Sequence, residues 1–284
     1  MRFRTEIEPI KTKHSIGHDT PLLMLGSCFT DNIGERLDID GFNVIHNPAG
    51  PLYNPMSIAS CLNRALENRP YTDADLTHGP NGMHCLDYAS RYSGADGAIV
   101  IEKVNADFGR IADRIGNPLL RTIIVTFGSA FVFERHGRVV GNCHKFPASE
   151  FVRRRLSVEE ITAAWSKLLK ALPDYIHVVF TVSPIRHTAD GLHGNQLSKS
   201  ILLLAVDELC NMFPDRTDYF PSYEIMLDDL RDYRFYASDM KHPSDVAVDY
   251  IYELFSNTYM TPKARTEAAE SRRRYKASQH RQIL

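Results

Sequence analysis

Cysteine is scarce and scattered in this sequence of 284 residues, which has five cysteines and no C-x-x-C pair. An odd, dispersed set argues against both a disulfide framework and a zinc ribbon, and it is typical of proteins from a reducing compartment. The five residues are Cys28, Cys61, Cys85, Cys143 and Cys210.

Long apolar runs and targeting segments are missing as well. No stretch approaches the roughly 18 apolar residues of a membrane span, and the first residues lack the apolar region of a signal peptide. The net charge is −2, so the whole chain shows no bias toward nucleic acid or an anionic membrane. We therefore expect a cytoplasmic protein that has neither a membrane nor a nucleic acid as its partner.

Motifs that hold metals and nucleotides are also absent. Although the chain has twelve histidines, it contains no H-E-x-x-H and no histidine pair at i, i+4 within a predicted helix. Neither G-x-x-x-x-G-K-[ST] nor G-x-G-x-x-G occurs. The sequence therefore predicts no metal site and no cofactor.

What is present is an alternation of short apolar segments with helical patterns. This alternation predicts an α/β fold, in which helices cover both faces of a central parallel sheet. Such sheets bind ligands beyond the carboxyl ends of their strands. The predicted strands are 21–25, 42–45, 98–101, 121–127, 176–182 and 219–225, with a hairpin over 130–142. The predicted helices are 29–38, 56–67, 104–115, 157–172, 195–213 and 243–259.

Two segments do not follow the alternation. Residues 69–97 have little periodicity, and we interpret them as an irregular insertion that could act as a lid over a pocket. Residues 263–284 are basic and polar, and we interpret them as a solvated helix or a frayed tail. The predicted organisation is one domain over 1–262 followed by this basic C-terminal tail.

The first candidate site is the turn Leu25-Gly-Ser-Cys-Phe29. Gly26 permits a tight turn after a strand, and Ser27 arrives where a helix begins, close to backbone N–H groups that can hold an oxyanion. A serine there is equally typical of a simple helix cap. Cys28 offers a thiol nucleophile instead, because a helix N-terminus lowers a thiol pKa. We favour Ser27, since adjacent side chains there point apart and a free cysteine is often a buried apolar residue.

The second candidate site is Ser238-Asp239-Met-Lys-His242-Pro243, just before the last predicted helix. A serine hydroxyl needs a base, histidine suits that role near neutral pH, and a carboxylate fixes the histidine tautomer. Taken alone, D-x-x-H is common and is explained by an exposed aspartate and a capping histidine. Together with Ser27, it predicts a triad in which His242 takes the serine proton and Asp239 orients His242.

This combination resembles the GSCFA family, a branch related to the SGNH (GDSL-type) hydrolases. The motif that names the family appears as Gly26-Ser-Cys-Phe-Thr30, with threonine in place of alanine. The resemblance implies a three-layer α/β/α, flavodoxin-like fold and esterase-type chemistry by Ser27, His242 and Asp239. It extends to about residue 260 through the stretches 47–55, 126–129, 142–145, 183–187 and 233–243.

The resemblance also implies an oxyanion hole. In SGNH enzymes it is made by the nucleophile's own N–H, a glycine N–H after the second strand, and an asparagine side chain after a later strand. Ser27 and Gly50 fit the first two roles. The chain departs from the pattern at Gly128-Ser-Ala130, where the family has Gly-x-Asn and where alanine cannot donate. Asn142, with Asn54 behind it, is the substitute that we predict. One missing donor costs roughly 10²–10³ in rate.

Other side chains are predicted to contact the substrate. Ser183, Arg186 and His187 follow the carboxyl end of a predicted strand, which is the edge where ligands bind. Arg186 suits a carboxylate or phosphate, but a structural bond to loop carbonyls explains it equally well. The remaining predicted contacts are Asn54, His144 and Lys145.

Three functions are consistent with these residues. The leading one is a serine hydrolase that cleaves an acyl ester on a small molecule or a glycan, such as an acylated sugar. The same triad serves an acyltransferase if the pocket is dry enough to pass the acyl group to an alcohol. The departure from Gly-x-Asn motivates the third, a binding protein on the same fold without turnover.

Overall fold

The computed structural model describes residues 4–8 and 12–281. The strands are β1 (Leu22–Gly26), β2 (Val44–His46), β3 (Thr77–Gly79), β4 (Gly82–His84), β5 (Ser93–Gly94), β6 (Thr122–Phe127), β7 (Phe131–Arg135), β8 (Arg138–Val140), β9 (Val152–Arg155), β10 (His177–Val182) and β11 (Thr217–Phe220). The helices are α1 (Cys28–Ile39), α2 (Pro55–Leu66), α3 (Gly97–Gly116), α4 (Val158–Ala171), α5 (Gly191–Met212), α6 (Ser222–Glu224), α7 (Asp245–Tyr259) and α8 (Pro262–Arg281).

A parallel sheet of five strands forms the centre of the molecule, in the order β2-β1-β6-β10-β11. Numbered among themselves along the chain, these strands have the flavodoxin-like order 2-1-3-4-5. Every residue of β1 and β6 is buried, as expected for strands that are covered on both faces. The predicted α/β fold with a central parallel sheet is confirmed.

Alternate residues of β1 point into two separate cores. Leu23 and Leu25 pack into a cluster with residues of α2, α3, α4 and α5. Leu22 and Met24 pack on the opposite face with residues of α1, α7 and α8. Because successive side chains of a strand point to opposite faces, this division gives the three-layer α/β/α arrangement. No helix in the described parts of the chain is long and apolar enough to cross a membrane.

The segment 98–101 is not a strand, contrary to the sequence interpretation. It lies in the first turns of α3, where the Asp96 side chain accepts a hydrogen bond from the Ala98 N–H at 2.8 Å and caps the helix. A short apolar run does not by itself distinguish a strand from a buried helix face. The buried positions recur at helical spacing, at Val100, Val104, Phe108, Ile111 and Ile115.

Residues 69–97 contain more regular structure than the sequence suggested. Strands β3, β4 and β5 form a small antiparallel sheet. Beyond β4, the Ala89 N–H donates to the Ala49 carbonyl at 3.2 Å, and the Leu86 carbonyl accepts the N–H groups of Gly141 and Asn142 at 2.8 and 3.0 Å. The segment therefore holds two loops of the main domain in place through backbone hydrogen bonds, the loop after β2 and the loop after β8.

The basic segment 263–284 forms most of α8, although its last three residues lie outside the described part of the chain. Ala264 and Ala268 are buried against the core on the α1 side of the sheet. Arg272 donates two hydrogen bonds to the buried Asp40 carboxylate, at 2.8 and 2.5 Å, and the Tyr252 hydroxyl donates a third at 2.7 Å. This polar helix is therefore docked on the domain.

We expect Arg272→Met to lower the free energy of unfolding by about 2 kcal/mol, because it leaves a buried carboxylate without its cation. Asp40 is 1% exposed, whereas the Arg272 side chain is 46% exposed. Because water reaches the guanidinium, the expected loss of stability is smaller than for a fully buried ion pair. Urea unfolding measures the change. Arg273→Met, at the exposed neighbouring position, is the control, with an expected change of about 0.5 kcal/mol or less. Equal losses in the two variants would show that the ion pair does not stabilise the fold.

Candidate active site

A pocket of about 620 Å³ lies at the carboxyl ends of the central strands. Loops that follow β1, β2, β6 and β10 supply much of its wall, and the loop before α7 adds Lys241 and His242. Residues of β7, β8 and β9, with the loop that follows β8, supply the rest. Its volume suits a small-molecule ligand. Among the described residues that line it, none belongs to 69–97. The lining includes Cys28, Tyr53, Asn142, Arg186, His187 and His242.

Two adjacent side chains at the start of α1 point in different directions. Ser27 is fully buried and caps the helix, with its Oγ accepting the Phe29 N–H at 3.3 Å. Cys28 is partly exposed and lines the pocket. The two side chains diverge, as the sequence suggested, but the cysteine reaches the pocket and the serine does not.

His242 and Asp239 form a dyad at the mouth of this pocket. The His242 Nδ1 lies 2.5 Å from one carboxylate oxygen of Asp239, and the other oxygen accepts the N–H groups of His242 and Lys241 at 3.0 and 2.9 Å. Met240, with φ of 59°, makes the turn that allows these contacts. The hydrogen bonds from the His242 backbone and side chain, and then from the Lys241 N–H, hold the pKa of Asp239 well below its usual range. The carboxylate is therefore ionised and orients the imidazole.

The free ring nitrogen of His242 faces Cys28. Its Nε2 lies 3.7 Å from the Cys28 Sγ. Burial raises the pKa of the Cys28 thiol, although its own N–H, the Phe29 N–H and the Tyr53 hydroxyl favour the thiolate. A thiol whose pKa is raised stays protonated near neutral pH, so it needs a base to become a nucleophile. The structure brings the predicted base to Cys28 and not to Ser27.

Two of the predicted oxyanion donors already have protein acceptors. The Ser27 N–H donates to the Thr126 carbonyl at 3.2 Å, in continuation of the β1–β6 pairing. The Gly50 N–H donates to the Asn47 carbonyl at 2.8 Å within a turn. Neither group is free to bind an oxyanion, because each already donates its one backbone proton to a carbonyl.

Other donors face the pocket. The Cys28 N–H has no acceptor among the described residues, since it is one of the first N–H groups of α1. Asn142 accepts the His144 N–H at 2.9 Å through its Oδ1, which turns its amide NH₂ toward other partners. Asn54 caps α2 through Ser57, at 2.8 and 2.9 Å, and also lines the pocket. The Cys28 N–H and the Asn142 amide therefore remain available to a ligand in the pocket.

Residues 21–255 match the family model of the GSCFA family. The chain belongs to the GSCFA family. A solved structure with a similar chain is described as a Corynascus thermopiles (Myceliophthora fergusii) carbohydrate esterase family 2 enzyme plus carbohydrate binding domain. The likeness covers 92% of this chain and 68% of that chain, at 12% identity and a TM-score of 0.44. No curated protein matches the sequence.

The first four positions of the GSCFA motif have separate structural roles. Gly26 lies where a Cβ atom would meet the Thr126 carbonyl oxygen at 2.3 Å. Ser27 caps α1 and Cys28 reaches the pocket. Phe29 is buried in the core between the sheet and helices α1, α7 and α8. In this GSCFA protein the motif therefore closes a strand, starts a helix and presents one thiol.

Asn47 is a residue that the sequence analysis did not assign to the site. Its side-chain Oδ1 accepts the Gly26 N–H at 2.9 Å, and its Nδ2 donates to the Ser27 carbonyl at 3.1 Å. It has φ of 38°, a conformation that asparagine adopts more readily than most residues. Its side chain holds the turn that carries Cys28. The sequence feature that could have identified Asn47 is its position at the start of the stretch 47–55, which resembles the family.

Lys199 is a second residue that the sequence did not reveal. It is buried and donates to the carbonyls of Gly128 and Ser183, both at 2.7 Å. These carbonyls follow β6 and β10, so the ammonium group joins two strand ends beside the pocket. Burial lowers the pKa of Lys199 to about 7. In the sequence it is one lysine in a long helix, and no local pattern distinguishes it.

Three of the predicted substrate contacts line the pocket, namely Asn54, Arg186 and His187. Arg186 donates from its Nη1 to the Met240 carbonyl at 3.3 Å, which is the loop-carbonyl contact that the sequence left open. The His187 ring packs edge-on against Tyr53, and its Nε2 is buried without a hydrogen-bond partner among the described residues. Burial, and then the nearby Lys199 ammonium group, lowers the pKa of His187 to about 4. His187 is therefore neutral.

Three other predicted contacts lie outside the lining. Ser183 is fully buried, and its Oγ accepts the Ile185 N–H at 3.4 Å. His144 is buried with its Nε2 at 2.9 Å from the Tyr88 carbonyl, and Lys145 is exposed. His144 and Lys145 have φ of 48° and 63°, and the chain leaves the pocket lining after Cys143. The expectation that they contact the substrate therefore needs correction. Within the described residues, no group of three or more His, Cys, Asp or Glu is placed to hold a metal.

Proposed function

We propose that the protein is a thiol-dependent acyl hydrolase, in which Cys28 attacks an acyl ester of a small molecule or a sugar. His242 takes the thiol proton and Asp239 orients His242. The observation that carries the proposal is the 3.7 Å contact between Cys28 Sγ and His242 Nε2 at the mouth of a pocket. Ser27, the nucleophile expected from the sequence, would have to leave its buried capping position to reach the same base.

The reaction has two halves. Cys28 Sγ bonds to the acyl carbon while His242 Nε2 accepts the thiol proton, and the Cys28 N–H and the Asn142 amide hold the oxyanion. Collapse breaks the ester C–O bond, His242 returns its proton to the alcohol, and an acyl thioester remains on Cys28. Water then attacks the thioester with His242 as base, which releases the acid and restores the thiol.

The exposure of the dyad supports hydrolysis over transfer to an alcohol. The side chains of His242 and Asp239 are 46% and 43% exposed, so water reaches the base directly. An acyltransferase with the same residues needs a site that excludes water from the acyl-enzyme. The open mouth therefore favours the hydrolase over the acyltransferase.

The test is to identify the acylated residue. We expect the wild-type protein, mixed with excess 4-nitrophenyl acetate, to release a burst of nitrophenol and to gain one acetyl group on the peptide that contains Cys28. Fragmentation of that peptide by mass spectrometry, after quenching in acid, separates Cys28 from Ser27. An acetyl group on Ser27 would restore the serine mechanism. A folded protein that neither gains an acetyl group nor turns over short-chain esters would support the binding protein.

A further inference from the structure

The pocket wall beside His242 contains two cations without a carboxylate partner. Arg186 and Lys241 both line the pocket, and neither lies within 4.0 Å of a carboxylate oxygen among the described residues. Arg153, the third cation of the lining, differs because Asp190 pairs with it through two hydrogen bonds of 2.8 and 2.5 Å. The positive charge of the pocket is therefore concentrated on the side of His242.

The backbone keeps these two cations together. The Arg186 N–H donates to the Lys241 carbonyl at 3.1 Å, which joins the loop after β10 to the loop that carries His242. The Arg186 guanidinium also packs over the rings of Tyr233 and Tyr236, at 5.8 and 5.5 Å. Among the described residues the guanidinium has one acceptor, the Met240 carbonyl, so most of its five N–H groups remain available. A guanidinium held in place by aromatic rings is prepared to bind an anion at a fixed position.

The nearby carboxylate does not neutralise this pair. Asp239 accepts its hydrogen bonds from the His242 ring and from two backbone N–H groups, and no bond to either cationic side chain is present. A pair of unneutralised cations next to a nucleophile attracts anionic ligands and strengthens their hydrogen bonds. Arg186, Lys241 and Cys28 line the same pocket, so an anion that binds to the two cations lies in the pocket that contains the thiol.

We propose that the acyl ester carries a negatively charged group, a carboxylate or a phosphate, which binds between Arg186 and Lys241 beside Cys28. This proposal rests on the proposed function for the identity of the reacting group. The remainder of the substrate then faces the other part of the lining, where Phe131 and Phe133 pack against the guanidinium of Arg153, which is paired with Asp190.

Alkylation of Cys28 tests the proposal without any need for turnover. Iodoacetate and iodoacetamide differ in one carboxylate, and both alkylate an accessible thiol. We expect the ratio of the iodoacetate rate to the iodoacetamide rate at Cys28 to fall about tenfold in Arg186→Gln and in Lys241→Gln. In the wild-type protein the ratio should also fall in high salt, because added ions screen a partly exposed site.

Lys170→Gln is the matched control, because it removes the same charge from an exposed position of α4 outside the pocket lining. Its ratio should equal that of the wild type. The iodoacetamide rate in each variant shows whether Cys28 is still accessible, which matters for Arg186 because it also contacts the Met240 carbonyl. Lys241→Gln is the second test of the same ratio. The hydrogen bonds of Lys241 described above are made by its backbone, so this change of side chain leaves them in place.

The outcomes separate this proposal from the proposed function. An equal ratio in wild type, Arg186→Gln and Lys241→Gln overturns the anion site and leaves acylation of Cys28 untouched. A thiol that neither reagent alkylates in the folded protein also overturns it, because the pocket then admits no carboxylate. A selective reaction with iodoacetate in a protein that gains no acetyl group supports the anion site and contradicts only the hydrolase.

Discussion

Cys28→Ala should lower the rate of ester hydrolysis by roughly 10³-fold or more, because it removes the group that forms the acyl bond. Ser27→Ala should retain most of the activity. The reason is the geometry at the start of α1, where His242 Nε2 lies 3.7 Å from Cys28 Sγ and Ser27 is fully buried. Loss of the helix cap in Ser27→Ala should still lower the free energy of unfolding by about 1 kcal/mol. Initial rates with 4-nitrophenyl acetate, and urea unfolding of each variant, measure both effects.

The pH dependence of Cys28 alkylation distinguishes a role for His242 from a simple contact. Burial raises the pKa of the thiol, so without a base the thiolate, and the alkylation rate, should increase only at alkaline pH. With His242 as base, the wild type should react at lower pH than His242→Gln. Complete loss of turnover in a folded Ser27→Ala protein whose Cys28 is still alkylated normally would assign the nucleophile to Ser27 instead.

The sequence predicted the sheet well because its strands leave a strong signal. The segments 21–25, 121–127 and 176–182 are short and continuously apolar, which is typical of parallel strands buried on both faces. It failed at 98–101, where an apolar run of similar length opens α3. The difference depends on the residues that follow, since the same apolar face continues along the helix to Ile115.

The candidate site was predicted less completely, because side-chain direction at a strand end depends on a single backbone turn. Successive residues of a helix are about 100° apart, so the choice between Ser27 and Cys28 is decided by which of them is the cap. Composition does not reveal this, since a serine at a helix start fits either role. His144 was misplaced for a related reason, because its positive φ follows from a local turn that the sequence did not indicate.

Gly26→Ala should lower the free energy of unfolding by about 3 kcal/mol or more. Gly26 has φ of 152°, a conformation that L-residues rarely adopt. A Cβ atom there would also lie 2.3 Å from the Thr126 carbonyl oxygen and 2.8 Å from the Thr126 nitrogen. These are backbone atoms of β6, and every residue of β1 is paired with β6. The steric clash is therefore relieved only if the two central strands move apart.

Gly109→Ala is the matched control, because the change is chemically identical and nothing lies within 4 Å of the new Cβ. Gly109 is in the interior of α3, where alanine should stabilise the helix by up to about 1 kcal/mol. Urea unfolding of both variants gives the comparison. If Gly26→Ala were as stable as Gly109→Ala, β1 and β6 would have to separate at this point without a measurable loss of stability. The position of Cys28 against His242 would then not be fixed by the β1–β6 pairing, and the proposed chemistry would lose its structural basis.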